Sequence, residues 1–496
     1  MSSNRKQGVL LPVTSIPSRY GIGTFGKESI AFLDFLEKAG QTLWQILPLG
    51  PTGYGDSPYQ SFSTFAGNPY LIDLELLIED GLLTKEECDV CDFGDNPRYV
   101  DYEKQYLSRS AILKKAFDHG YRKLCREESY KAFLEENRFW LEDYALYMAV
   151  KDSFGGVCFM EWDEDIRRRD KSAMKKNKKL LAKEIHFYEF QQYLFMKQWL
   201  ALKTYANQKG IEIVGDIPIY VAFDSADTWA HPELFQMDES GYPTAVAGCP
   251  PDYFSETGQL WGNPLYRWDY HKKTGYEWWM QRFAHCYRLY DVVRIDHFRG
   301  FDEYWAVPYG EETAVNGQWL KGPGYELFAT LKKCLGKKKI IAEDLGFMTD
   351  SVRRLVKKTG FPNMKILQFA FEASGESEYL PFRYDKNCVV YTGTHDNDTT
   401  VGWLSQMAKK DLKFARKYLH CKKKDDLCRE MIRAGVSSVA DTVIIPMQDW
   451  MELGNEARIN VPSTLGENWK WRLLEGELTG QLAEAMYKMA KLYGRV

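Results

Sequence analysis

The sequence predicts an α/β protein built on a closed (β/α)8, or TIM, barrel. Three observations predict it: eight short apolar runs of strand length, helical periodicity between most of them, and polar or acidic residues where several runs end. The runs lie at 8–11, 42–47, 211–216, 291–296, 339–343, 364–369, 388–392 and 442–446. A helical stretch over 29–39 separates the first two. The spacing then becomes uneven. Residues 52–200 fall between the second and third runs, where Phe133, Leu134, Leu141, Tyr144, Ala145, Met148 and Ala149 recur near helical spacing among many charges. This segment is expected to be a mostly helical insertion. Residues 219–285, rich in Pro, Gly, Trp and Tyr, follow the third run and are expected to be a loop-rich insertion over the mouth of the barrel. The whole chain, 1–496, reads as one catalytic barrel with these two insertions.

Composition narrows the function classes. With 65 Lys plus Arg against 69 Asp plus Glu, the net charge is −4, a poor match for a dedicated nucleic-acid binder. The basic stretch 167–183 reads as a solvated surface segment. No apolar run reaches the ~18 residues of a membrane span. The opening MSSNRKQGVLLPV has too short an apolar stretch for a signal peptide, and Pro12 interrupts it. Ten cysteines lie in no regular framework, and Cys88-x-x-Cys91 has no second pair at ribbon-like spacing. Scattered thiols without an export signal point to the cytoplasm. One excess asks for a use: 31 Tyr, 27 Phe and 15 Trp make the chain 15% aromatic, and flat rings stack on sugars as well as on one another.

The chemistry is expected at the C-terminal ends of the strands. Those ends carry Asp216, Arg294 with Asp296, Glu343 with Asp344, and His395 with Asp396. Strand alternation puts Arg294 and Asp296 on one face and Val293 and Ile295 on the other, so the charged pair points inward. A guanidinium beside Asp296 favours its ionised form, which suits a nucleophile. Glu343 follows the apolar Ile340-Ile341-Ala342, a setting that raises a carboxyl pKa and suits a general acid. Two carboxyls with pKa values pushed apart across a cleft describe a glycosidic-bond enzyme. A competing reading gathers Asp296, His297, Glu343, His395 and Asp396 round a metal ion; Arg294 would repel the cation, and no His-x-His or His-Glu-x-x-His pattern appears.

Further motifs carry a resemblance. They are DSPYQS at 56–61 with GNPY at 67–70, GDIPIYVAFDSADTW at 215–229, PPDYFS at 250–255 and WGNP at 261–264. RIDHFRG at 294–300, AEDLG at 342–346, GTHDNDT at 393–399, EARIN at 456–460 and NWKWR at 468–472 complete them. In this order the chain resembles the 4-α-glucanotransferases, or amylomaltases, of glycoside hydrolase family 77, within the wider α-amylase clan.

The resemblance implies Asp296 as nucleophile, Glu343 as acid/base and Asp396 as the carboxylate that binds sugar hydroxyls at the transition state. It implies Tyr59, Asp216, Asp252, Trp261, Arg294 and His395 around the donor sugar, and Tyr54 and Tyr102 along a second glucan groove. It also implies maltooligosaccharides and α-1,4-glucans as donor and acceptor, no metal or cofactor, no nucleic-acid or membrane partner, and no C-terminal β-domain. Two departures are local: Pro462-Ser463 stands where Pro-Gly is usual, and CKKKDDLC at 421–428 is peculiar to this chain. An α-amylase-type hydrolase would use the same catalytic groups. A non-catalytic glycan binder would need a lost carboxylate, and none is lost.

Overall fold

Each of the eight apolar runs forms a strand, and the eight close into a parallel barrel. The structure, a computed structural model, describes residues 5–53, 55–251, 255–346 and 348–496. In chain order the strands are β1 (Lys6–Leu10), β2 (Leu43–Gln45), β3 (Glu212–Ile217), β4 (Ala245–Cys249), β5 (Gln259–Pro264), β6 (Val292–Ile295), β7 (Glu303–Pro308), β8 (Gln318–Lys321), β9 (Ile340–Ala342), β10 (Asn363–Ile366), β11 (Cys388–Tyr391) and β12 (Thr442–Pro446). The barrel runs β1-β12-β11-β10-β9-β6-β3-β2 and closes where β1 pairs with both β12 and β2. β1 and β2 approach so closely that a Cβ on Gly8 would lie 2.5 Å from that of Leu43, so only glycine fits there.

Alternation along the strands separates two cores. Leu10, Leu43, Val214, Val292, Ile341, Val389 and Ile444 fill the barrel. Their neighbours Val9, Trp44, Ile213, Val293, Ile295, Val390 and Val443 face the surrounding helices. Arg294 therefore lies on the inner face with Val292, two residues along the strand.

Between β2 and β3 the chain is helical, with long helices at Tyr102–Leu124, Glu128–Ser153 and Ala182–Gln208. Side-chain caps fix the starts of several: Asp101 accepts from the Lys104 N–H at 3.1 Å, and Thr84 and Glu87 form a reciprocal capping box. The Lys171–Leu180 helix in the basic stretch is mostly exposed. The segment 219–285 departs from its loop-rich expectation. It holds β4, β5 and the helix Glu277–Leu289, and β4 and β5 belong to a four-stranded antiparallel sheet, β5-β4-β7-β8. The other half of that sheet comes from a further insertion after β6 that the sequence reading missed. After β12 the described residues contain helices, including Gly480–Leu492, and no further strand. No described helix is long and apolar enough to cross a membrane. All ten cysteines are free, and burial pushes the Cys88 thiol up to about 11, away from reactivity.

Candidate active site

The register of three neighbouring strands assembles the charged centre. Asp216 on β3 pairs with Arg294 on β6, and Ile295 on β6 pairs with Ala342 on β9. One residue further, Asp296 and Glu343 leave adjacent strands side by side, where neighbouring parallel backbones are ~4.8 Å apart. The Glu343 N–H donates to the Ile295 carbonyl at 3.1 Å, and the Phe298 N–H donates to the Glu343 carbonyl at 2.9 Å, which locks that alignment beyond the strand ends.

Arg294 is the hub. Its Nη1 donates to Asp216 Oδ2 at 2.5 Å and to Asp296 Oδ1 at 3.1 Å. The Asp216 and Arg294 side chains are 0% and 3% exposed, whereas Asp296 keeps 30% of its surface open to the cleft. Asp216 and Arg294 are thus almost fully enclosed beneath Asp296, and Asp216 lines a cavity with Tyr59. Arg294 is hydrogen-bonded to Asp296 through Oδ1.

Burial raises Asp296 to about 8; Arg294 pulls it down, while Asp216, Glu343 and Asp396 push it up. Arg294 lowers the Asp296 pKa as expected, but desolvation and three neighbouring carboxyls outweigh that pull. Burial also raises Glu343, against the pull of Arg294 and of two backbone N–H donors. Those donors are His297 N, 2.6 Å from Oε2, and Leu345 N, 2.9 Å from Oε1. Each Glu343 oxygen retains a second lone pair that can carry a proton. Burial raises both carboxyls, and each acts on the other's titration. Asp344, next in sequence, turns away: it is buried and accepts from the Met364 N–H at 3.0 Å and Asn363 Nδ2 at 3.2 Å.

Asp396 lies beyond β11 in a loop braced from a distance. Asn460 Nδ2 donates to Asp396 Oδ1 at 2.7 Å, and Arg458 Nη2 donates to the Asp396 carbonyl at 2.7 Å while pairing with Asp398. The buried Asp449, just past β12, accepts from Thr392 and Thr400 and ties down the same loop. Asn460, Arg458 and Asp449 brace this loop, contacts that sequence reasoning did not assign. EARIN had been matched without a role, and its asparagine and arginine were the available signal.

The aromatic walls follow. Tyr59 stacks on the buried His395, ring centroids 5.3 Å apart and 14° from parallel, and its hydroxyl donates to Asp216 Oδ2 at 2.8 Å. Burial lowers the His395 pKa and keeps that ring neutral, with its Nε2 3.4 Å from Asp396 Oδ2. Trp261 sets its ring edge against His297, centroids 4.8 Å apart at 90°. The loops are sewn together by Gln60 Nε2 donating to Asn263 Oδ1 at 3.2 Å and by Asp227 accepting from both N–H and hydroxyl of Thr64 at 2.8 Å. Tyr102 lines a small cavity with Asp56, Pro58 and Trp469. It is mostly buried at the start of its helix, with its hydroxyl donating to the Trp469 carbonyl at 2.9 Å. Tyr54 and Asp252 lie outside the described residues.

Among the described residues no three His, Cys, Asp or Glu side chains converge as a metal site. The guanidinium of Arg294 occupies the centre where a cation would have to sit. What the cleft offers is one carboxyl pair on adjacent strand ends, a braced third carboxylate and flanking flat rings.

Comparison with known proteins agrees with that chemistry. The family model described as 4-alpha-glucanotransferase matches residues 11–478. A 4-alpha-glucanotransferase of Clostridium butyricum is 50% identical over 485 residues, covering 97% of this chain and 99% of the relative. One from Thermus thermophilus is 46% identical, with 100% of each chain covered. The solved amylomaltase of Streptococcus agalactiae in complex with acarbose superposes with a TM-score of 0.97 at 42% identity, covering 99% of both chains. The chain belongs to glycoside hydrolase family 77, the 4-α-glucanotransferases.

Proposed function

We propose that this enzyme transfers α-1,4-glucan segments between maltooligosaccharides by a retaining double displacement in which Asp296 carries the glycosyl group and Glu343 moves the proton. The observation that carries the reading is the placement of Asp296 and Glu343 side by side on adjacent strand ends, with Arg294 on one Asp296 oxygen. In the first step Glu343 gives its proton to the glycosidic oxygen. Asp296 Oδ2 attacks the anomeric carbon as the C–O bond to the leaving glucan breaks. In the second, Glu343, now a carboxylate, takes the proton from an incoming 4-hydroxyl; that oxygen attacks the same carbon and Asp296 leaves. Two inversions restore the α configuration. Asp396, held by Asn460, binds sugar hydroxyls as the ring flattens, and Trp261 flanks the cleft as a stacking surface.

Hydrolysis would run through the same residues with water as acceptor, so acceptor binding and water exclusion decide the outcome. The high identity to named transferases along the whole chain supports transfer. Residues 52–200 and 219–285, with the extra strands β7 and β8, form the insertions around the barrel that shape the cleft. Free cysteines throughout suit a cytoplasmic enzyme. Incubation with maltotriose, followed by chromatography, is expected to give glucose together with maltopentaose and longer chains at nearly constant total reducing ends. A steady rise in reducing ends would instead show a hydrolase.

A further inference from the structure

His297 follows Asp296 directly and has no role in the mechanism above. Its backbone is unusual: φ is 49° and ψ is 49°, the left-handed region, at a residue that is not glycine. Histidine enters that region more readily than most residues, while a β-branched residue there is an outlier. The turn has a consequence one bond away. The peptide that enters the turn carries the His297 N–H, which donates to Glu343 Oε2 at 2.6 Å, so a change of φ at His297 has to be absorbed by tilting that donor. The imidazole on the other side of the same residue is wedged edge-on to Trp261 and lies over Gly300, whose N–H donates to the His297 carbonyl at 2.9 Å.

We infer that His297 is a positioning residue for the acid/base: its left-handed backbone, braced by the ring of Trp261, fixes the orientation of Glu343 and sets how tightly it holds its proton. The inference rests on the reading of Glu343 as acid/base. A backbone N–H on a carboxylate stabilises the ionised form, so loss of this donor raises the Glu343 pKa and moves the basic limb of the pH profile upward. The other charged and titratable groups that act on Glu343 are Arg294, Asp296, Asp344 and Tyr379, and none of them changes in the test. The His297 ring itself is no source of pH dependence, because burial lowers it to about 3 and it stays neutral throughout.

Two substitutions separate backbone from ring. His297→Asn keeps a residue that tolerates the left-handed turn; His297→Val does not. With maltotriose, His297→Val is expected to lower kcat/KM about tenfold or more and to shift the basic limb to higher pH. His297→Asn is expected to stay within about threefold, with the limb unmoved. His297→Ala, which meets the same penalty without β-branching, replaces the valine variant should it not fold. The burst of fluoride from α-maltosyl fluoride, whose leaving group needs no proton, is expected to survive in every variant. A folded valine or alanine variant with an unmoved basic limb overturns the inference, as does equal impairment of the asparagine and valine variants. Glu343→Ala is the control: if it loses fluoride release as severely as maltotriose transfer, the acid/base reading of Glu343 fails instead.

Discussion

Asp296→Asn is expected to lower transfer from maltotriose by roughly 10⁴–10⁶-fold and, at the same time, to make the protein more stable. The loss follows from removing a carboxylate that is open to the cleft and adjacent to Glu343. The gain follows from linkage. The Asp296 carboxyl titrates at about 8 in the folded chain, above its unfolded value near ~3.9, so the native state binds more protons between those limits. Stability from this group is fully present below pH ~4 and falls as pH rises toward 8; an ionised Asp296 is a cost at neutral pH. Cleft water reduces that cost, and the neutral amide removes it, for a gain of about 1–3 kcal/mol at pH 7. The urea midpoint should move up in the variant at pH 7 and converge with the parent at pH 4. Oligosaccharide binding should persist. Retained activity, or a midpoint that falls at pH 7, would remove Asp296 from the nucleophile's place.

Arg294→Met has the opposite stability signature. Arg294 and Asp216 are almost fully enclosed, and methionine would leave the Asp216 carboxylate, among the described residues, with the Tyr59 hydroxyl as its donor. Removing one member of a buried ion pair costs about 3–5 kcal/mol, because the surviving charge loses its compensation while remaining out of water. The urea midpoint should fall accordingly. Activity should fall as well, since the Asp296 pKa rises further and less of it is ionised at neutral pH. The double variant Arg294→Met/Asp216→Leu should recover much of the stability and none of the activity. An Arg294→Met midpoint equal to the parent's would mean that the pair is solvated in the native state.

Much of the barrel was legible because its strands are apolar runs flanked by turn residues, and period-2 alternation was enough to put Arg294 and Asp296 on one inner face. The small antiparallel sheet was not. Its strands come from two insertions separated by β6, and β5 and β8 show no fully buried face, so no apolar pattern marks them. Burial was equally hidden. Nothing in GDIPIY says that Asp216 is buried against Arg294; that depends on register, which pairs the two across β3 and β6. The roles of Asn460 and Arg458 depend on a chain that returns to Asp396 across some sixty residues, a contact no local pattern encodes. Likewise the left-handed turn at His297 exists only because β6, β9 and Trp261 all press on one residue.

The central claim, a covalent glycosyl group on Asp296, is most directly tested by trapping it. In Glu343→Gln treated with α-maltosyl fluoride, the first step needs no proton donor, while the second lacks its base. The protein should gain the mass of one maltosyl group, and digestion should place it on the peptide carrying residues 294–300, at Asp296. An adduct on Asp216 or Asp396, or fluoride release with no adduct and a β-configured product, would contradict the account.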